Sequence, residues 1–281
     1  VGPQQPTRPD CPDRVSGDML FDTHCHLDAA EYDADRDAVV DRAIAAGVRG
    51  ILIPAVAPDN FDRVRALAHA IPGGAYALGI HPMVVARCPD DALNVLRQAL
   101  EANLGDPRLV AVGEIGLDFF VPELATGPHR ERQERFFDAQ LRLAAELRLP
   151  VLLHVRRAQD TILKYLRLRR VSGGIAHAFN GSVQQAEAFI ALGFALGIGG
   201  AMTYARATRI RLLAASIDLS ALVLETDGPD IPPAWLGGAG RNEPAELAPI
   251  AHALAHLRGV SPEQIADDTT TTALRVCPKL A

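Results

Sequence analysis

The sequence predicts an α/β chain closed into a TIM-type (β/α)8 barrel, a single domain. Three observations predict it. Eight short apolar runs alternate with longer amphipathic stretches over the 281 residues, a pattern that calls for parallel strands joined by helical crossovers. Eight repeats favour closure over an open sheet. The first run ends in DTHCHLD (22–28), without the glycine-rich phosphate turn of an open doubly wound sheet.

The strand-like runs are 19–26, 50–56, 75–81, 109–117, 150–155, 174–179, 194–198 and 221–226. Between them lie helical patterns at 35–46, 59–70, 90–101, 129–149, 158–170, 182–192 and 203–215, and two more, 242–257 and 261–276, follow the last run. The clearest is 129–149, where Phe136, Phe137, Gln140, Leu141, Ala144 and Leu147 recur at steps of three and four, the period of one helix face. Asp59 and Ser182 are expected N-caps, and Ser261 with Gln264 has the form of a capping box. Residues 1–17, rich in proline and polar side chains, read as a disordered leader. They lack the basic start and apolar stretch of a signal peptide. The barrel domain is expected over 18–281.

Hydrophobic residues make up 48% of the chain, enough for a sizeable core, yet no apolar run approaches the roughly 20 residues that span a bilayer. Cys11, Cys25, Cys88 and Cys277 form neither a C-x-x-C pair nor a disulfide framework. Reduced thiols and a cytoplasmic location are therefore expected, with no membrane association and no obligate protein partner. The formal charge of −6 gives no support to a general nucleic-acid binder, although it leaves room for a local basic patch.

Chemistry collects at the ends of the runs. Of nine histidines, His24, His26, His81, His154 and His177 lie there, at the barrel face that carries active sites. His24 and His26, two apart on a strand, project to one side, and Cys25 to the other, against the helices. Glu114 follows four apolar residues and a glycine, where a carboxylate needs a cation partner, either an arginine or a metal. His154 follows PVLL, His177 follows GGIA and Asp227 ends ALVLETD. Each histidine alone could be a hydrogen-bonded core residue. Together, four imidazoles and two carboxylates from five strands suffice for two divalent cations if one carboxylate bridges. The donor mixture suits zinc, manganese or iron better than magnesium; the cation pair is left as zinc, manganese or magnesium. Asp118 and Glu225 are expected to orient ligating histidines. His252 and His256, four apart on a helix, lack a carboxylate or thiol partner and read as a solvated face.

These motifs together resemble the TatD-type metal-dependent deoxyribonuclease family, a branch of the amidohydrolase-like barrels. The pieces that carry the resemblance are DTHCHLD, GIHP, GEIGLDF, LHVRRA, HAFNGS, LETDGPDIPP and RNEP, in family order from 22 to 244. The resemblance implies that His24, His26, Glu114 and Asp227 hold one metal, and that Glu114, His154 and His177 hold the second, with Glu114 bridging. It also implies a divalent-metal-dependent hydrolase, a DNase working from the 3′ end of single-stranded or frayed DNA. Two departures bear on substrate preference. Arg157 stands where the family often has an acidic residue, and Phe119 replaces an aromatic hydroxyl.

Phosphodiester hydrolysis follows as the expected reaction, with Asp227 as general base, Glu114 as bridging ligand, and His81 and Arg156 at the rim holding a non-bridging phosphate oxygen. The basic segment 164–170 (KYLRLRR) reads as a solvated helix face or a phosphate-tracking surface, and Phe179 and Trp235 as packing residues or base-stacking ones. The alternative reading is a two-metal hydrolase of a small amide, lactone or phosphoester without nucleic acid. A non-catalytic scaffold would have no need of six converging ligands.

Overall fold

In the computed structural model, which describes residues 7–9 and 19–280, each apolar run forms one strand of an eight-stranded parallel sheet ordered β1 to β8 without interruption. The strands are β1 (Leu20–Asp22), β2 (Val48–Pro54), β3 (Gly74–Leu78), β4 (Leu109–Asp118), β5 (Val151–Arg156), β6 (Gly174–His177), β7 (Phe194–Ile198) and β8 (Leu222–Leu224). The alternating helices are α1 (Arg36–Ala45), α2 (Phe61–Ala70), α3 (Ala92–Asn103), α4 (Gly127–Leu147), α5 (Gln159–Leu168), α6 (Val183–Ala191) and α7 (Thr208–Ser216); α8 (Leu247–Arg258) and α9 (Pro262–Val276) follow β8. The expected leader, residues 1–17, lies outside the described residues except for 7–9. Among the described residues no helix is long and apolar enough to cross a membrane.

Strand parity divides the apolar side chains into two sets, because successive residues of a strand point to opposite faces. Ile51, Ile53, Tyr76, Leu78, Leu153, Leu196, Leu222 and Leu224 pack outward in one cluster with the helices. Phe21, Leu52, Ala75, Ala77, Leu152, Ile175, Ala195 and Val223 point inward. That inner cluster includes Ala273, Val276 and Cys277, so the end of α9 plugs the floor of the barrel. Truncating one of its large members, Leu152→Ala for example, costs about 2–5 kcal/mol.

The same parity aims the polar residues. Two steps above Leu152 is His154, two above Ile175 is His177, and two and four above Val223 are Glu225 and Asp227. Four above Ala77 is His81. The apolar floor thus fixes which side chains converge on the opposite mouth.

The seam between β1 and β8 closes through irregular backbone. Thr23 N donates to Leu224 O (3.1 Å), Asp227 N to His24 O (2.8 Å) and His26 N to Gly228 O (2.8 Å). Cys25 and Gly228 form an isolated parallel bridge. His24 and His26 therefore sit just beyond β1, while Cys25 is buried in the outer cluster as expected.

Several boundaries differ from the sequence reading, each because a side chain bonds elsewhere. Asp59 does not cap α2; Asn60 takes the position before it, and its Oδ1 accepts from Val56 N (3.1 Å) and Ala57 N (3.2 Å). The pattern at 203–215 begins as helix only at Thr208, because Gly200–Thr203 form a 3-10 turn closed by Thr203 Oγ1 donating to Gly200 O (2.7 Å). The pattern at 242–257 begins as helix at Leu247, since Asn242 is committed to the preceding loop. Ser182 and Gln185 cap α6 reciprocally, at 3.1 and 3.0 Å. Ser261 accepts from Gln264 N at 3.2 Å, the N-terminal half of the expected box.

Candidate metal centre

Six of the residues singled out in the sequence meet at the strand ends, and His81 joins them. Glu114 is the centre. Its Oε2 faces His24 Nε2 (3.2 Å) and His26 Nε2 (3.4 Å). Its Oε1 faces His154 Nδ1 (3.0 Å), His81 Nε2 (3.3 Å) and His177 Nε2 (3.4 Å). Asp227 Oδ1 approaches His24 Nε2 (3.5 Å) and His26 Nε2 (3.8 Å), and His24 stacks on His177 with ring centres 3.8 Å apart. The carboxylate of Glu114 therefore has one oxygen on each of two nitrogen-rich sides.

His81 departs from the sequence reading. It is not at the rim; it is buried, with Nε2 3.1 Å from His154 Nδ1. The signal was present, since the residue stands an even step from the inward Ala77. Asp22 is a polar residue that sequence reasoning passed over. Buried under the site, it accepts from Thr226 N (3.0 Å) and Thr226 Oγ1 (2.6 Å); its even spacing from His24 and His26 was the available clue.

An outer layer holds the imidazoles in place. Asp118 Oδ2 lies 3.0 Å from His154 Nε2, and Glu225 Oε1 lies 3.3 Å from His177 Nδ1 and accepts from Ala178 N at 2.6 Å. Gly197 makes room for Glu225: a Cβ there would sit 2.1 Å from Glu225 Oε2. Asn242, fully buried, donates through Nδ2 to Thr226 O (2.7 Å), Asp230 O (3.0 Å) and Ile231 O (3.2 Å), pinning the loop that carries Asp227. Of five non-glycine residues with left-handed φ among the described residues, four (Arg157, Ala178, Asp227 and Ile231) line the mouth. Such backbone costs of order 1–3 kcal/mol each and persists only where surroundings enforce it.

Burial and crowding set the charges. Burial would raise Glu114, but the surrounding imidazoles of His81, His24 and His177 hold it well below the usual carboxylate range. Burial keeps His24 neutral, lowering it well below the ordinary histidine value. Burial opposes protonation of His26 and His177 as well, yet Glu114 raises His26 to about 9, and Asp227, Glu225 and Glu114 raise His177 to about 10. Burial lifts Asp227 to about 6 against the pull of His177 and His26.

The donor set fits divalent cations. Glu114 Oε2, buried between two imidazoles, has no hydrogen-bond partner, and His24 Nε2 and His26 Nε2 face each other at 3.3 Å. Buried polar atoms left in that state are costly, and a bound metal cation would remove the cost. Three overlapping triads offer ligand atoms within 4.8 Å of one another: His24, His26 and Glu114; His81, Glu114 and His154; His24, His177 and Asp227. His252 and His256 stay on α8, in none of these groups.

The centre opens into a cleft of about 1280 Å3, lined among others by His26, His81, Phe120, Arg156, Arg157 and Asp227. Neither residue considered for stacking reaches it. Phe179 is in the core against Phe189, 5.2 Å between ring centres, and Trp235 is tied through Nε1 to Glu246 Oε2 at 2.7 Å. The basic segment of α5 runs away from the mouth. Arg167 and Arg170 line a hollow with Phe194 at the start of β7, and Arg169 pairs with Asp138 at 2.6 Å. That placement is a solvated face at the opposite end of the barrel.

Comparison with known proteins places the chain in a family. The family described as TatD related DNase matches residues 21–278. The uncharacterized metal-dependent hydrolase YjjV of Escherichia coli K12 is 42% identical over 248 residues, covering 88% of this chain and 93% of its own. Its crystal structure superposes with a TM-score of 0.85 at 39% identity, covering 92% of this chain and 98% of that one. A protein of Pantoea vagans named 3′-5′ ssDNA/RNA exonuclease TatD is 35% identical over 267 residues, covering 92% of this chain and 100% of its own.

Proposed function

This chain belongs to the TatD related DNase family, and we propose that it is a divalent-metal-dependent deoxyribonuclease that removes nucleotides from the 3′ end of single-stranded or frayed DNA. The observation that carries the reading is the partition of Glu114, one oxygen toward His24 and His26 and the other toward His154 and His177. His24, His26, Glu114 and Asp227 would hold one cation, and Glu114, His154 and His177 the other. When bound, the pair supplies charge stabilisation to the attacking and leaving oxygens of a phosphodiester displacement and acidifies water.

The chain's own groups do the rest. Asp227, on the His24 and His26 side, accepts the proton of the attacking water. Arg156 at the mouth, and His81 deeper beside Glu114, hold non-bridging phosphate oxygens. Asp118 and Glu225 fix the ring orientations of His154 and His177. A cleft of about 1280 Å3 exceeds the roughly 300–1,000 Å3 of small-molecule sites, which favours a polymeric substrate over a small amide, lactone or phosphoester. We assign residues 18–281 to one catalytic domain working in the cytoplasm, a setting that suits the free thiols of Cys25, Cys88 and Cys277.

Two substitutions and a labelled substrate test the reading. Glu114→Gln should lower metal content at both positions. Asp227→Asn should leave the His154 and His177 cation in place while slowing single turnovers about 10²–10⁴-fold. A 5′-labelled oligonucleotide should yield a descending ladder while a covalently closed circle survives. Two tightly held metals in Glu114→Gln, or near-normal turnover in Asp227→Asn, would show the roles misassigned.

A further inference from the structure

The mouth of the cleft is electrically lopsided. Arg87 after β3, Arg156 at the end of β5 with Arg157 just past it, and Arg209 at the start of α7 line one arc, while Asp28 and Glu31 after β1 and Asp230 after β8 line the other. All four arginines are exposed, and among the described residues none of them is within ion-pair distance of a carboxylate or donates a side-chain hydrogen bond. Most other arginines of the molecule are tied down, as Arg42 is to Glu243 and Arg97 to Glu146. Unpaired cations gathered on one side of an acidic centre are arranged for an anion that is not part of the chain.

Two apolar side chains stand among these arginines. Phe120 is 44% exposed and Met83 45% exposed, both lining the cleft. The guanidinium carbon of Arg156 is 3.9 Å from the centre of the Phe120 ring and that of Arg157 is 4.6 Å from it. Arg157 is held there with a left-handed φ of 55°, unfavourable for a side chain of its size. Two like charges brought to one exposed ring repel each other. The cluster is relieved when a phosphate takes their charge, and planar guanidinium and phenyl groups are the surfaces on which bases stack.

Resting on the nuclease reading above, we propose that Phe120, with Arg156 and Arg157, is the platform for a base in the strand that trails from the scissile phosphodiester. The strand lies over the positive arc from β3 to β7 and avoids Asp28, Glu31 and Asp230. The platform reads no base edge, so it selects single strands without selecting sequence. It rejects a duplex, whose bases already stack on each other.

The test is equilibrium binding of a 5′-fluorescein-labelled thymidine octamer, its 3′-terminal linkages phosphorothioate, followed by anisotropy with the metal-replete protein. Phe120→Leu keeps an apolar side chain and removes the ring; it should weaken binding roughly tenfold, the worth of one stacked base. Phe120→Trp should bind within about twofold of the unaltered chain. Arg157→Ala should flatten the slope of log K against log salt by about 0.7, one released counterion on a single strand. Leu168→Ser, exposed on α5 away from the cleft, should change nothing. Equal binding by the unaltered chain and Phe120→Leu would overturn the platform and leave the nuclease reading standing. No binding of the octamer by the unaltered chain would overturn both.

Discussion

Gly197→Ala adds one methyl group at a point where the structure leaves no room for it. The new Cβ would lie 2.1 Å from Glu225 Oε2 and 2.6 Å from its carboxyl carbon, whereas ordinary contact begins near 3.4 Å. The carboxylate must therefore retreat by more than 1 Å from a position that is 1% exposed. Its Oε1 contacts with Ala178 N at 2.6 Å and His177 Nδ1 at 3.3 Å cannot both survive. The Ala178 hydrogen bond, made to a charged group, is worth about 1.5–3 kcal/mol, so a loss of roughly 1.5–3 kcal/mol in stability is expected when it breaks. Freeing the ring of His177 should weaken metal binding about 10–100-fold. Thermal unfolding and competition against a chromophoric chelator measure the two effects. The decisive comparison is a double-mutant cycle with Glu225→Ser: once the carboxylate is gone, the methyl has little to strike, and its cost should largely disappear. Equal penalties for Gly197→Ala in both backgrounds, or unchanged metal affinity, would refute the reasoning.

Two further outcomes are expected. Metal uptake by the metal-free protein at neutral pH should release protons, because His26 and His177, raised to about 9 and about 10, are protonated there and ligate only when neutral. Affinity should accordingly climb with pH until those values are passed, and calorimetric heats independent of buffer ionisation would contradict it. Asn242→Ala strands one buried and two part-buried carbonyls of the 226–231 segment and should cost about 3 kcal/mol, lowering the midpoint of thermal unfolding by roughly 6–12 °C. An unchanged midpoint would mean the loop holds itself.

The barrel was legible because its rule is local. Each apolar run is long enough to be a strand, and parity from residues such as Leu152 or Ile175 decides what points inward. The same parity brings His154 and His177 to one place, and it puts His81, four residues past the inward Ala77, in the site rather than at its rim. What the sequence hid depends on distant partners. Asn242 resembles the first residue of a helix until Thr226, Asp230 and Ile231 claim its amide. Asp59 resembles a cap until Asn60 turns back on Val56 and Ala57. Phe120 gives no periodic signal at all; only the return of β5 beside β4 brings Arg156 and Arg157 against its ring.

The β1/β8 seam has a temporal meaning. His24 and His26 leave the ribosome well before Asp227, which is about two hundred residues behind them, and backbone bonds such as Asp227 N to His24 O join the two stretches. Contacts of such sequence separation are slow to form and come late. A nascent or shortened chain that ends before β8 can pair β1 with β2 and already carry His24, His26, Glu114, His154 and His177, yet lack Glu225 and Asp227. With Asp227 as the proposed base, hydrolytic competence then arrives only when the first and last strands meet, so a nuclease half-made during translation is a nuclease switched off.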